Sequence, residues 1–156
     1  MKKFELTTEF ITNVLGKKLF RIKALIEFGN VKAGELGGYV EKEGNVSQGG
    51  NAWVYGDARV YGDAWVCGNA RVYGDARVSG NADYALVQGF GTEFRCTTFY
   101  RGKNKKIMVN CGCFHGDLEE FRKQVKETRS GKIAKEYLMI ADLMEYHFAS
   151  EDSSNE

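Results

Sequence analysis

From Gly38 to Gly80 the chain repeats with a period of six. Glycine stands at 38, 44, 50, 56, 62, 68, 74 and 80. Asn or Asp follows at 45, 51, 57, 63, 69, 75 and 81, then alanine at 52, 58, 64, 70, 76 and 82, while valine fills 54, 60, 66, 72 and 78. The unit reads Gly-Asp/Asn-Ala-x-Val-x. Ala and Val flank a single residue, so they share the inner face of a short strand and x points outward. The Gly-Asp/Asn pair suits a corner, because glycine accepts positive φ and Asn or Asp bonds to local backbone. Short strands and corners alternating every six residues close a triangle every eighteen. Successive coils then stack about 4.8 Å apart. The regularity and short coil length favour a left-handed parallel β-helix over a right-handed one. Counted in phase, nine hexads run from Ala33 to Leu86, giving about three coils. The first three (Ala33–Gly38, Tyr39–Gly44, Asn45–Gly50) are degenerate, as in a terminal repeat. Both open ends present unpaired backbone and need covering.

The flanks supply covers. Phe4–Leu6 and Leu19–Leu25 read as strands joined by a turn near Gly16-Lys17-Lys18. Phe94–Arg101 and Lys105–Cys111 read as a β-hairpin around Gly102-Lys103-Asn104. Asp117 begins a helix with Glu120 in capping-box spacing and Leu118, Phe121 and Val125 on its apolar stripe; Ser130-Gly131 ends it. A second helix spans about Ile133 to Phe148, with Tyr137, Leu138, Ala141, Met144 and Phe148 near one face. The expected organisation is mainly β: N-terminal capping strands (1–32), the hexapeptide-repeat β-helix (33–86), an α+β cap of hairpin and two helices (87–149), and an acidic, disordered tail (150–156).

Composition narrows the function classes. The 22 basic and 21 acidic residues leave a net charge of +1, so no whole-molecule field draws the chain to long nucleic acid or an anionic membrane. Glu5 and Glu9 interrupt the apolar run a signal peptide needs. Tyr137–Ala141, the longest apolar run, is too short to cross a bilayer. A cytoplasmic protein with reduced cysteines is the expectation. The 19 glycines without any proline point to ordered turns.

Candidate chemistry lies on the outward positions. Every third hexad shares a wall, so one wall is expected to stack Glu35, Trp53 and Arg71, with Tyr55 and Tyr73 at its corner. A second stacks Glu41, Arg59 and Arg77, with Tyr61 alongside. A third stacks Ser47, Trp65 and Asp83. Outward tryptophans on a small prism invite burial by another subunit or by the cap. Arginine pairs phosphate and aromatic rings stack on a base, so a ligand site is expected from Trp53, Arg59, Tyr61, Arg71, Tyr73 and Arg77, joined by Arg95 and Tyr100 of the hairpin. No catalytic residue is nominated: no histidine lies within 33–86, and His115 and His147 read as surface residues. Cys111-x-Cys113 with Cys96 and His115 does not match zinc-knuckle spacing, so neither a metal nor another cofactor is expected.

Several segments carry a family resemblance: Leu19-Phe20-Arg21-Ile22-Lys23-Ala24-Leu25, Gly34-Glu35-Leu36-Gly37-Gly38-Tyr39-Val40-Glu41, Arg95-Cys96-Thr97-Thr98-Phe99-Tyr100, Cys111-Gly112-Cys113-Phe114, Glu120-Phe121 and Ala134-Lys135-Glu136-Tyr137-Leu138. Together with the repeats, the chain resembles phage and prophage hexapeptide-repeat proteins with a C-terminal α+β cap. The resemblance implies a phage setting, hence a host-cell cytoplasm, and no particular mechanism. With the Arg/aromatic walls and the missing base, it leads to the expectation of a non-enzymatic homo-oligomer, trimeric or of higher cyclic order, that sequesters a small nucleotide-like immune signal as an anti-defence sponge. The alternatives are a structural or interaction module of a phage, and an acyltransferase by analogy of fold.

Overall fold

The computed structural model describes residues 2–112 and 114–149. Cys113 and the segment 150–156 lie outside the described residues. So do the Cys111-x-Cys113 pairing and the tail expected to be disordered. The architecture is mainly β with two C-terminal helices. β1 (Phe4–Thr12) and β2 (Lys18–Ala24) form an antiparallel hairpin, and β2 pairs antiparallel with β3 (Leu36–Val40). The hexads then contribute two-residue strands: β4 (Trp53–Val54), β5 (Arg59–Val60), β6 (Arg71–Val72) and β7 (Arg77–Val78). Each is the x-Val of its hexad. β4 pairs parallel with β6, and β3, β5 and β7 pair in parallel succession. The sheets remain open, with strand orders β1-β2-β3-β5-β7 and β4-β6.

The alternation of the hexad accounts for the core. Ala52, Ala58, Ala64, Ala70 and Ala76 and Val54, Val60, Val66, Val72 and Val78 are all buried in one apolar column. The corners turn on glycines with positive φ at 50, 56, 62, 68 and 74. At Gly62 a Cβ would lie 2.6 Å from the Ser79 carbonyl oxygen of the following coil, so glycine is required there by contact as well as by conformation.

The register differs from the in-phase count at both ends. Arg59 pairs with Arg77, and Trp53 with Arg71, eighteen residues on. Tyr39 pairs with Arg59, and Val46 bridges to Val66, twenty residues on. Two residues are absorbed between Ser47 and Asn51: the Ser47 amide still bonds the Val66 carbonyl, whereas the Asn51 amide bonds that of Gly68, in the eighteen-residue register. Tyr39, not Glu41, therefore stands beneath Arg59. At the other end Asn81–Asp83 forms a second 3₁₀ turn, and Tyr84 begins an antiparallel strand. The last hexad up to Leu86 thus leaves the coil register.

Side chains satisfy the open ends of the stack. Lys3, 1% exposed, donates through Nζ to the carbonyls of Ala52 (2.7 Å), Gly49 (3.3 Å) and Gly50 (3.4 Å). Burial pushes its pKa down to about 8, and Nζ lies 4.7 Å over the Phe28 ring. Buried Asn45 donates to the carbonyls of Ala64 (2.8 Å) and Gly62 (3.2 Å). A buried backbone acceptor left without a donor costs about 1–3 kcal/mol, which explains polar residues in otherwise apolar surroundings.

The cap closes the opposite end. β8 (Tyr84–Phe90), β9 (Arg95–Arg101), β10 (Ile107–Cys111) and β11 (Phe114–Asp117) form an antiparallel sheet ordered β11-β10-β9-β8. α1 (Leu118–Thr128) and α2 (Gly131–Phe148) pack on it. Asp117 caps α1 in a reciprocal capping box with Glu120, as its spacing predicts. Strand alternation divides the labour. Phe99 and Val109 join the helices, with Phe121 5.9 Å from Phe99. Tyr100, Met108 and Asn110 face the coils instead. Among the described residues no helix is long and apolar enough to cross a membrane.

Candidate functional site

The predicted site residues separate into five places. Trp53 is outward on its coil yet 0% exposed, because the N-terminal segment folds over it. Its ring meets Phe28 at 5.2 Å and Phe4 at 6.2 Å, both edge-on. The tryptophan expected to stack on a ligand is thus a core residue, and the N-terminal segment provides the burial. Tyr100 is likewise buried, plugging the coil end, with its hydroxyl 2.9 Å from His115 Nε2 and its acidity suppressed by that burial. Arg95 lies in the cap, paired with Glu93 and lining a different cavity from Arg71.

Arg59, Tyr61 and Arg77 share one wall. Tyr39, Arg59 and Arg77 form successive rungs, and Arg21 of β2 extends the row, its guanidinium 4.4 Å over the Tyr39 ring. Arg77 donates to the carbonyls of Ala76 (2.9 Å) and Asp75 (3.0 Å). Burial and the Arg59 charge depress its pKa. Arg59 Nε is buried without an acceptor among the described residues.

Arg71 and Tyr73 lie on another wall, where the sequence-derived set gains residues it did not contain. Tyr55 and Tyr73 stack at 4.4 Å, and the Arg71 guanidinium lies 5.3 Å over Tyr55. Thr98 accepts from the Arg71 amide (3.0 Å), while Asn110 donates to the Arg71 carbonyl (3.2 Å) and the Tyr55 hydroxyl (2.8 Å). These bonds dock the cap sheet on the terminal coil. Beside them opens a cleft of about 340 Å³ lined by Asn30, Glu35, Tyr55, Arg71, Cys96, Thr98, Asn110 and Gly112. It offers one cation, one carboxylate, two carboxamides and an aromatic ring. Asn30, Thr98 and Asn110 were missed from sequence. The available signal was the lone polar Asn110 within Ile107-Met108-Val109-Asn110-Cys111, on the coil-facing side by parity.

The third wall does not stack as expected. Trp65 is 51% exposed, while its amide bonds Asn81 (2.8 Å) and its carbonyl accepts from Tyr84 (2.6 Å). Asp83 turns away to pair Arg101 at 2.9 Å.

A search of curated proteins returned no match. A family model described as the YdcK β-solenoid repeat matches residues 52–68 and 70–82. These residues contain the Gly-Asp/Asn-Ala-x-Val-x hexads whose valines and alanines fill the coil interior, so the chain carries β-solenoid repeats of that kind.

Proposed function

We propose that the chain is a non-enzymatic protein of about three left-handed coils that binds and sequesters a small nucleotide-like molecule. The supporting observation is the cleft in which Arg71 lies over Tyr55 among Glu35, Asn30 and Asn110. A guanidinium matches a phosphate, a carboxylate accepts from a sugar hydroxyl or base amino group, and carboxamides read a base edge. The volume suits a nucleotide-sized ligand. Arg59 and Arg77, one coil apart, provide a second phosphate-matching surface on a neighbouring wall. Exposed Trp65 is assigned to a contact between subunits of a homotrimer or higher cyclic assembly. The resemblance to phage hexapeptide-repeat proteins supports choosing the ligand from nucleotide signals of bacterial immunity.

Calorimetry of the full chain against cyclic dinucleotides and ADP-ribose tests the reading. Saturable binding that weakens about tenfold or more in Arg71→Gln is expected. No heat with any of them, in protein whose fold is intact, contradicts it. Native mass spectrometry of protein from the producing cell reports stoichiometry and retained ligand together.

One observation favours a second reading. The cap delivers His115 to the coil end, its ring 4.7 Å from Tyr73 and its Nε2 bonded to Tyr100. A histidine beside the coils is what acyl transfer requires of a general base. Acyl transfer from acyl-coenzyme A that is lost in His115→Ala while coenzyme A still binds would support that reading against sequestration.

A further inference from the structure

The cap contains a second cavity, of about 200 Å³, chemically unlike the coil cleft. It lies where the β8–β9 turn, β11, α1 and α2 converge. Its floor is apolar, formed by Phe90, Phe114, Phe121, Val125 and Tyr137. Its rim carries Arg95 and Arg129. Both guanidiniums lie near enough to the Tyr137 phenol to favour its ionised form, although burial prevails and raises its pKa.

Gly91 has φ +78, and a Cβ there would fall 2.6 Å from the Tyr137 hydroxyl, so the backbone of the β8–β9 turn closes against one wall of the cavity. Phe94 also holds a positive φ of 53, which bends the turn carrying Glu93 and Arg95 around the rim. The Arg95–Glu93 pair is about half exposed, so a competing anion displaces it at little cost. Arg129, the C-cap residue of α1, is exposed and enters no ion pair among the described residues.

We propose that this cavity binds a small monocyclic aromatic carboxylate, with its ring on the Phe121–Tyr137 floor and its carboxylate on Arg129 and Arg95. An apolar cavity of about 150 Å³ admits benzene, so this one holds a ring with a short substituent and excludes a nucleotide. Phe121 already meets Phe114 at 5.7 Å and Tyr137 at 5.9 Å in tilted and edge-on geometry, and a further ring extends that arrangement. Guanidinium and carboxylate match as a planar, bidentate pair.

Benzoate is the probe, titrated into the full ¹⁵N-labelled chain, with toluene as its uncharged counterpart. Saturable shifts at the amides of Phe121, Val125 and Arg129 are expected, with about tenfold weaker binding in Arg129→Gln and for toluene. Arg129 is exposed, so the substitution leaves the fold intact, and Arg95→Gln provides an independent second variant. Absence of saturable shifts, shifts confined to Tyr55 and Arg71, or an affinity unchanged from the unsubstituted chain in both arginine variants would each overturn the proposal.

Discussion

Gly62 and Gly80 occupy the same place in the hexad, yet the structure assigns them opposite sensitivities to alanine. Gly62 has φ +62, and an added Cβ would lie 2.6 Å from the Ser79 carbonyl oxygen one coil on. A left-handed conformation costs alanine about 1–2 kcal/mol. Relieving the contact requires two coils to separate locally, an overpacking cost of about 1–3 kcal/mol. Gly62→Ala is therefore expected to lose about 2–5 kcal/mol. At about 2–4 °C per kcal/mol for a chain of this size, Tm should fall by roughly 4–20 °C. Gly80 has φ −159 with nothing within 4 Å of the added carbon. Gly80→Ala should be neutral or should gain about 0.4–1 kcal/mol, because alanine restricts the unfolded chain. Urea unfolding of both variants at one pH, with m compared to exclude a changed denatured state, gives the difference directly. Equal losses at the two positions would refute the stacked coils, since the corner conformation and the inter-coil contact that distinguish them both belong to that stacking.

Other consequences concern burial. Lys3 has a folded-state pKa near 8 against 10.5 unfolded, so the unfolded chain binds more protons between those values. Stability from this group should therefore rise as pH increases from about 8 to 10.5, by at most about 3 kcal/mol, and comparison with Lys3→Met isolates that slope from other titrations. A parallel pH profile in the variant would show that Lys3 is solvated. Trp53 is 0% and Trp65 51% exposed, so in the monomer Trp65→Phe should remove most iodide-quenchable fluorescence and leave blue-shifted emission. Quenching that persists unchanged would place Trp53 in water.

The coil interior was legible in the sequence because a strict six-residue period leaves Ala and Val one inward choice, and the described coils fill with those residues. The capping box at Asp117 and the hairpin centred on Gly102 were equally local signals. The slip between Ser47 and Asn51 was hidden, since Gly44, Gly50 and Gly56 keep the six-residue spacing across it. That slip places Tyr39 under Arg59. Trp53 was misplaced because outward on the coil and exposed on the molecule are different properties when a flanking segment folds over. The cleft around Arg71 depends on contacts such as Asn110 to Tyr55, 55 residues apart, which no local pattern encodes.

Residue-resolved amide exchange tests the stacked register most directly. The amides of Trp53, Tyr55, Arg59 and Tyr61 donate to the carbonyls of Ala70, Val72, Ala76 and Val78 in the next coil. These four should exchange only through large-scale opening, whereas the exposed corners at Asp57 and Asp63 exchange fast, giving protection with a six-residue period. Fast exchange at Trp53, Tyr55, Arg59 and Tyr61 under native conditions would contradict the stacked coils and the walls built on them.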